Sequence, residues 1–440
     1  MDRSRILEIL NDWNYWQQPA PTGTEREVLG QLEGLLDERH ILTLTGVRRS
    51  GKSTLMRQLG EVAARRHSRE QVLYVNFEDP RWLPELGSGL IDEIVEAYRE
   101  RYSPGEKAFL LLDEVQNVPE WERWARAIYD RRSDLKMVVS ASTASLVEGD
   151  LGALLTGRHL AVEVFPFSLG ELVRHGGGEV PDGDYQALRR HKTRIRSALA
   201  TYLEWGSFPE TCGKPPEVAR LILQQSFEDI IARDVVSRRG VRDARALRAL
   251  AHYALTNVGN ELSVTQTAKT LGISAETVRE YLGYLEEVYL VFGVPYASPS
   301  LKVVNRRNEK MYAVDCGLRN VVSLRFSRDL GRSAENLAFL WLRHQGLAPR
   351  YWRNGAEVDF VVDAGGRRLP INVCCTDSIP AREWNSLQAD MAALGASEGL
   401  IVSDDLYLEP RTTGDGRVAV MPLWYFLLKP LEAIFGELSA

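Results

Sequence analysis

The sequence predicts an α/β fold with a parallel β-sheet at its core. Two observations carry this prediction. Between residues 38 and 175, short apolar runs typical of buried strands alternate with segments of helical periodicity. The first of these runs, residues 41–44, is followed by a glycine-containing loop and then by a helical pattern. In such folds the crossovers are right-handed and the strands run in one direction. The loops that follow the strands therefore gather at one edge of the sheet.

The loop after the first strand matches the phosphate-binding pattern G-x-x-x-x-G-K-[ST] without a mismatch. Two glycines let the backbone approach an anion, and the loop amides and the helix N-terminus supply partial positive charge. Lys52 can reach the β- and γ-phosphates, and Ser53 can bind Mg²⁺. The alternative is a chance glycine-rich turn, but the strand and helix on either side are the context that the motif requires. We therefore expect a nucleoside triphosphate to be bound by Gly46, Val47, Arg48, Arg49, Ser50, Gly51, Lys52, Ser53 and Thr54.

A second apolar run, residues 108–112, ends in the acidic pair Asp113 and Glu114. At the carboxyl end of a buried strand, Asp113 can hold Mg²⁺, and Glu114 can orient and deprotonate the attacking water. Many strands end in aspartate, so the pattern is weak alone. It gains weight here because it follows a matching phosphate loop, with one further predicted strand, residues 71–77, between them.

Three further residues are candidates for contacts with the γ-phosphate. Ser142 belongs to the stretch Ser140 to Ala144, which ends the strand predicted at residues 135–140. A hydroxyl of this stretch can sense the γ-phosphate or position water; the alternative is a helix N-cap. Arg158 and Arg233 can stabilise negative charge on the transferred phosphate, from their own chain or from a neighbour. For each arginine the alternative is a structural ion pair.

Composition and charge favour a globular protein of about three domains. The net charge of −6 argues against general coating of nucleic acid, although local basic patches remain open. The four cysteines show no C-x-x-C or zinc spacing, which favours a reducing compartment. The N-terminus lacks the features of a signal peptide, and no apolar run is long enough to span a bilayer. We therefore expect a cytoplasmic protein without membrane contact.

Residues 264–287 fit a helix-turn-helix pattern, with Gly272 in the turn and Ser274 as the cap of the second helix. The basic segment 302–310 would form a wing, and DNA binding is one interpretation. However, residues 264–287 contain two basic and four acidic side chains, which phosphate would repel overall. This balance favours an interaction module. A basic run at residues 189–196 is interpreted as a solvated helix face rather than a nucleic-acid contact.

The last part of the chain begins near Asp329. A helix acid (Glu335), a strand aspartate (Asp359) and [E/Q]-x-K on the next strand would form a Mg²⁺ nuclease site. On that next strand, the position expected to hold Glu or Gln is Asn372, and the position expected to hold Lys is Cys374. We call these two the closing positions of the nuclease pattern. Asparagine is a poorer ligand for a hard cation, and cysteine cannot supply the charge of lysine. A degenerate scaffold is therefore favoured, and a surviving nuclease that uses the two acids is the alternative.

Together, these features resemble a widespread group of bacterial and archaeal AAA-type ATPases with a winged-helix segment and a C-terminal domain similar to PD-(D/E)XK nucleases. The resemblance covers nearly the whole chain. It rests on GVRRSGKST, FLLLDEVQ, Ser-Ala-Ser-Thr-Ala, Gly-Arg followed by Pro-Phe-Ser, Ala-Arg-Asp-Val-Val, the Glu335 helix and Glu-Val-Asp-Phe-Val. It implies a P-loop core of the ASCE type, AAA+ or STAND-like, with Gly46 to Thr54 as Walker A, Asp113 and Glu114 as Walker B, and Ser142 at sensor 1. It also implies ATP as the nucleotide, and it aligns Asn372 and Cys374 with the acid and lysine of the nuclease family.

The predicted organisation has five parts. They are an N-terminal helical lead-in (1–37), a P-loop ATPase core (38–175), a helical lid region (176–250), a winged-helix-like module (251–328) and a small, degenerate α/β nuclease-like domain (329–440). The lead-in either packs near the nucleotide base or forms a surface helix.

The predicted function is that of a Mg²⁺-dependent ATPase. It would act as a molecular switch whose C-terminal modules engage a protein partner or a second copy. DNA is a further candidate partner, through the winged-helix and C-terminal domains. The alternative function is an ATP-regulated DNA-binding regulator or defence component.

Overall fold

The computed structural model describes residues 1–102, 107–144, 155–323, 329–354, 356–376, 378–413 and 416–439. The chain forms two compact units, Met1–Phe165 and Pro166–Ala440. Within the described ranges, no helix combines the length and the apolar character needed to cross a bilayer. The five-part division of the sequence stays a prediction.

The first unit contains a five-stranded parallel sheet with the strand order β2-β3-β4-β1-β5. Its strands are β1 (Ile41–Thr45), β2 (Val72–Asn76), β3 (Ala108–Asp113), β4 (Leu135–Ala141) and β5 (His159–Glu163). Because all the strands run in one direction, their carboxyl ends share one edge of the sheet. The phosphate loop follows β1 at that edge, and Asp113 ends β3 there. The predicted α/β fold with a parallel core is confirmed.

Helices cover both faces of this sheet. They are α1 (Arg3–Trp13), α2 (Leu29–Leu35), α3 (Lys52–Arg66), α4 (Ser88–Arg101) and α5 (Trp121–Arg131), with 3₁₀ turns at Arg69–Gln71, Pro80–Glu85 and Val115–Asn117. Alternate residues of β3 face opposite sides, as the period of a strand requires. Leu110 and Leu112 pack in the apolar cluster that contains α1, α4 and α5. Phe109 and Leu111 pack in the cluster that contains α2 and α3. The sheet is therefore buried on both faces.

The second unit begins with a helical region. Its elements are α6 (Leu169–His175), α7 (Tyr185–Arg189), α8 (Lys192–Trp205), α9 (Pro216–Asp229), a π-helical segment (Ile230–Ser237) and α10 (Ala244–Thr256). Capping side chains define two of these starts. Ser168 and Glu171 form a reciprocal capping box at α6, and the Asp243 side chain accepts a hydrogen bond from the backbone at the start of α10.

A small antiparallel sheet follows, in the order β6-β8-β7. The elements here are β6 (Glu261–Leu262), α11 (Val264–Leu271), α12 (Ala275–Glu287), β7 (Val291–Val294), α13 (Leu301–Val304), β8 (Glu309–Ala313), α14 (Cys316–Val322) and α15 (Leu330–His344). Gly272 lies in the turn between α11 and α12 with φ of +68°. The Ser274 side chain caps α12 by accepting from the Thr277 N–H at 3.0 Å. The predicted pair of helices and their turn are confirmed.

The C-terminal part of the second unit contains a six-stranded mixed sheet with the order β13-β14-β12-β11-β10-β9. Its strands are β9 (Arg350–Asn354), β10 (Ala356–Ala364), β11 (Arg367–Cys374), β12 (Glu398–Ser403), β13 (Leu408–Thr413) and β14 (Gly416–Pro422); its helices are α16 (Ala381–Leu394), α17 (Leu423–Phe426) and α18 (Leu431–Ser439). Strand β10 pairs antiparallel with β11, with Phe360 opposite Ile371. Continuing this register places Asn372 opposite Asp359, on the strand that ends at Cys374.

Close packing at one glycine gives a test of this fold. A Cβ at Gly317, in α14, would lie 2.0 Å from the carbonyl oxygen of Trp205 at the end of α8. Overpacking of this kind costs about 1–3 kcal/mol or more. This exceeds the gain of about 1 kcal/mol in helix propensity when alanine replaces glycine. Gly317→Ala is therefore expected to lower the melting temperature measured by circular dichroism.

Gly283→Ala is the matched control, because Gly283 also lies inside a helix of the second unit. A Cβ at this position meets no other described atom within 4 Å. This variant is expected to melt at or above the wild-type temperature. If the two variants had the same melting temperature, the close approach of α14 and α8 would be contradicted.

Candidate functional site

The phosphate-loop residues form the turn between β1 and α3. Gly46 has φ of +148°, and a Cβ there would lie 2.2 Å from the carbonyl oxygen of Val164, so only glycine fits. Gly51 has φ of +101° and directly precedes the first residue of α3. Arg49 also has a positive φ, of +68°, which is uncommon for a residue with a side chain. Arg49 is therefore held in a strained backbone conformation inside this loop.

The Lys52 side chain is buried beside the loop. Its Nζ donates to the carbonyl oxygens of Gly46 at 2.9 Å and Val47 at 3.0 Å. It also lies 3.9 Å from Glu114 Oε1. The ammonium group is therefore held between the phosphate loop and the acidic pair that follows β3.

Asp113 is fully buried at the carboxyl end of β3. Tyr74 Oη donates to Asp113 Oδ2 at 2.5 Å, and Ser140 Oγ donates to Oδ1. Burial raises the pKa of Asp113, and the negative charge of Glu114 raises it further. Hydrogen bonds from Ser140, Ser53 and Tyr74 act in the opposite direction. These donors are neutral, so a cation at Asp113 would relieve the cost of burying its charge. Ser53 and Asp113, the two predicted Mg²⁺ ligands, lie side by side and fit the ion.

Glu114 belongs to a second hydrogen-bond network at the same edge. Its backbone has φ of +53°, and its N–H donates to Ser140 Oγ at 3.0 Å. Gln116 Nε2 donates to Glu114 Oε2 and to Ser142 Oγ, the latter at 3.3 Å. Ser142 is thus linked to Glu114 through the amide of Gln116. The structure therefore brings together Lys52, Ser53, Asp113, Glu114 and Ser142.

The two candidate arginines are placed differently. Arg158 pairs with Asp130, with its Nε at 3.0 Å and its Nη2 at 3.2 Å from the two carboxylate oxygens. Its carbonyl accepts the N–H of Ile41, at the start of β1, so it lies at the opposite edge of the sheet from the loop. Arg233 is exposed in the π-helical segment of the second unit. Such segments are frequent at functional sites.

Sequence reasoning missed three residues of the site, Arg26, Tyr74 and Gln116, and it named Ser140 only as one of several hydroxyls at the end of its strand. Arg26 is 4% exposed, and its guanidinium donates to the carbonyl oxygens of Ser50 at 2.9 Å and Phe165 at 2.7 Å. The N-terminal lead-in (residues 1–37) is also hydrogen-bonded to α3, because Gln58 Nε2 donates to the carbonyl oxygens of Thr22 and Thr24. The serine-rich end of β4 was a usable signal for Ser140, but no local pattern marks Arg26.

The candidate nuclease residues lie around an unexpected lysine. Lys310 Nζ is 3.1 Å from Glu335 Oε1, is 3.2 Å from Asp359 Oδ1, and pairs with Glu357. Burial alone lowers the pKa of Lys310, but the three carboxylates raise it above its usual value. Burial, more than the nearby Asp359, raises the pKa of Glu335 to about 7. The sequence pattern places Lys310 in the basic wing, but the structure shows that its side chain is buried.

The closing positions of the nuclease pattern lie on β11. The buried Asn372 side chain has no hydrogen-bond partner for its Oδ1 among the described atoms. Cys374 Sγ lies 3.2 Å from Thr376 Oγ1. In the part of the chain that the structure describes, no group of three or more His, Cys, Asp or Glu side chains has the arrangement of a metal site.

Two protein-family models match the chain. Residues 38–173 match an AAA domain, and residues 196–329 match a domain of unknown function (DUF8612). An uncharacterized protein of Methanocaldococcus jannaschii is 28% identical over 410 residues, covering 88% of each chain. One of Haemophilus influenzae is 27% identical over 356 residues, covering 78% of this chain and 85% of the relative. The first match agrees with the parallel sheet and phosphate loop of the first unit, which is similar to AAA-type nucleotide-binding domains.

Among solved structures, the chain is similar to the Orc1 protein of Aeropyrum pernix in complex with DNA. The identity is 15%, the match covers 73% of this chain and 96% of that one, and the TM-score is 0.30. AMPPCP-bound DnaA from Aquifex aeolicus is 15% identical. That match covers 59% of this chain and 86% of the DnaA chain, and its TM-score is 0.26. Both TM-scores are low, and neither similarity assigns a function to this chain.

The network around Asp113 predicts different roles for two nearby serines. Ser140 donates to a buried carboxylate, whereas Ser142 makes a longer contact with a neutral amide. Loss of a hydrogen bond to a buried charged group costs about 1.5–3 kcal/mol. Without nucleotide, Ser140→Ala is therefore expected to lower the melting temperature more than Ser142→Ala does. A larger loss in Ser142→Ala would contradict the assignment of Ser140 to Asp113.

Proposed function

We propose that this chain is a Mg²⁺-dependent ATPase. The observation that carries the proposal is the convergence of Lys52, Ser53, Asp113 and Glu114 at one edge of the sheet. Asp113 has a hydroxyl neighbour suited to Mg²⁺, and Glu114 lies beside the lysine that would reach the phosphates. The match of residues 38–173 to an AAA domain supports the same chemistry.

Each group has a distinct task in this mechanism. The backbone amides of the phosphate loop bind the phosphates, and the Lys52 ammonium exchanges its carbonyl partners for phosphate oxygens. Ser53 and Asp113 would hold Mg²⁺, which would help neutralise the phosphate charge. The Glu114 carboxylate accepts a proton from the attacking water, and Gln116 keeps that carboxylate oriented. Arg233, from this chain or from a neighbour, is the better candidate to stabilise the transition state, because Arg158 is paired away from the loop.

The ATPase would act as a cytoplasmic molecular switch whose second unit engages a protein partner or a second copy. The order α10, β6, α11, α12, β7, α13, β8 supports a winged-helix module between residues 251 and 328. The C-terminal mixed sheet supports a separate α/β domain. Asn372 and Cys374, which replace the acid and the lysine of the nuclease pattern, support binding rather than cleavage by this domain. Nucleotide-dependent rearrangement of these modules is the output that the switch requires.

Glu114→Gln is expected to retain Mg-ATP and to lose turnover. Glutamine keeps the size of the side chain but cannot accept the proton, and loss of a general base costs about 10²–10⁴-fold. Protection against thermal unfolding by Mg-ATP should persist, because it depends on binding alone. Phosphate release measures turnover, and a melting curve with Mg-ATP measures binding.

The matched control is Lys52→Ala, which removes the group that contacts the phosphates. This variant should lose the protection by Mg-ATP as well as the turnover. Wild-type turnover in Glu114→Gln would contradict the role of Glu114 as the base that accepts the proton from water. A wild-type protein without any Mg-ATP protection would overturn the whole proposal.

A second candidate function is an ATP-regulated DNA-binding regulator or defence component. The specific observation in its favour is the exposed segment between β7 and β8. Lys302, Arg306 and Arg307 are exposed there. In addition, Glu287 of α12 is paired with Arg239, with its Oε2 3.0 Å from Arg239 Nε, which reduces the negative charge of that helix.

Binding to duplex DNA tests this second function. If the three basic residues contact phosphates, wild-type affinity should fall steeply with salt, by about 0.9 log units per log unit of salt for each contact. The triple variant Lys302→Ala, Arg306→Ala, Arg307→Ala should then bind weakly and with a shallower slope. The control variant Lys214→Ala, Arg242→Ala, Arg245→Ala removes the same charge from other exposed positions of the second unit. Equal affinity of the two triple variants would count against DNA binding by this segment.

A further inference from the structure

Four charged side chains from three elements of the second unit meet at one point. Lys310 comes from β8, Glu335 from α15, and Glu357 and Asp359 from β10. A lysine ammonium has three N–H donors, and here each donor has its own carboxylate acceptor. The Lys310 side chain is only 2% exposed. The positive charge of this cluster is therefore built into the fold.

The carboxylates hold further hydrogen bonds that keep their oxygens in place. Tyr312 Oη donates to Glu335 Oε1 at 2.7 Å. The backbone N–H of Val373 donates to Asp359 Oδ2 at 2.9 Å. A Mg²⁺ or Mn²⁺ ion that bound these acids together would need their oxygens at about 2.0–2.2 Å from one centre. That centre is the space between the carboxylates, which the ammonium of Lys310 fills.

We propose that Lys310 is a permanent internal cation that takes the place of a divalent metal ion in the C-terminal domain. The cluster then binds no metal and instead ties strand β8 to helix α15 and strand β10. This assignment does not depend on ATP hydrolysis, since all four residues lie in the second unit.

The competing assignment makes Lys310 the lysine of a metal-dependent nuclease, supplied from another strand. Such a lysine has to reach the phosphate on which negative charge develops. The ammonium of Lys310 is buried, and its three donors are already used by carboxylates. The geometry therefore favours the internal cation, and the nuclease becomes an outcome of the test.

The test exchanges the ammonium for a metal ion in the full-length protein without nucleotide. In Lys310→Met, three carboxylates remain without a cation, so the melting temperature should fall. Addition of MnCl₂ should restore much of that loss and reveal one new Mn²⁺ site in titration. We expect this site to bind at least about tenfold tighter than any Mn²⁺ binding by the wild type, because a positive charge within about 4 Å has been removed. Lys310→Arg keeps the charge and should gain no such site.

Two further variants keep the test decisive. Lys310→Met with Asp359→Asn should lose the new Mn²⁺ site, which assigns that site to the cluster. If Lys310→Met does not fold, Lys310→Met with Glu335→Gln removes one charge of each sign and provides the same comparison with and without MnCl₂. Absence of Mn²⁺ rescue in whichever variant folds would overturn the proposal.

Measurements on the wild-type protein test the proposal without relying on any Lys310 variant. Mn²⁺ binding by the wild type that is abolished by Asp359→Asn would show that the lysine does not replace a metal. Cleavage of plasmid DNA with MgCl₂, lost in the same variant, would establish the nuclease instead. Intact plasmid and no cluster-dependent Mn²⁺ binding are the expected results.

Discussion

The buried carboxylate of Asp113 is the constraint around which the candidate ATPase site is built. A charged group without water around it has to be satisfied by hydrogen bonds or by a cation. Its donors come from three different elements: Tyr74 from β2, Ser140 from β4 and Ser53 from α3. The strand order makes this possible, because β3 lies between β2 and β4. The strand order of the sheet therefore determines which side chains can donate hydrogen bonds to Asp113.

The phosphate loop imposes a complementary requirement. A loop that points its amides at an anion leaves several carbonyl groups to be satisfied elsewhere. Arg26 serves this purpose for Ser50 and also binds the carbonyl of Phe165, which follows β5. Lys52 does the same for Gly46 and Val47 until its ammonium turns to a phosphate. The lead-in is thus part of the support of the loop, because its arginine replaces water at a buried backbone group.

Sequence reasoning succeeded where the chemistry is local in the chain. The phosphate loop, the acidic pair after β3, and the Gly272 and Ser274 turn are each defined by neighbours within a few residues. It failed where a contact depends on strand pairing or on a long-range approach. Ser140 reaches Asp113 only because β4 pairs with β3 in a particular register. Arg26 carries no local pattern, and Lys310 lies in sequence close to the basic pair Arg306 and Arg307, which favours an exposed wing over a buried position.

The two acidic centres of the chain meet the same physical requirement in opposite ways. The described hydrogen-bond donors to Asp113 are neutral, so its charge is best compensated by a cation from solution, which fits Mg²⁺ bound with a nucleotide. Glu335, Glu357 and Asp359 instead surround an ammonium group of the chain itself. Replacing a mobile ion by Lys310 removes the dependence on metal and makes the carboxylates part of the packing. On this argument, the acids of the second unit stabilise the junction of β8, α15 and β10 without a metal ion, whereas the site proposed for Mg²⁺ lies in the first unit.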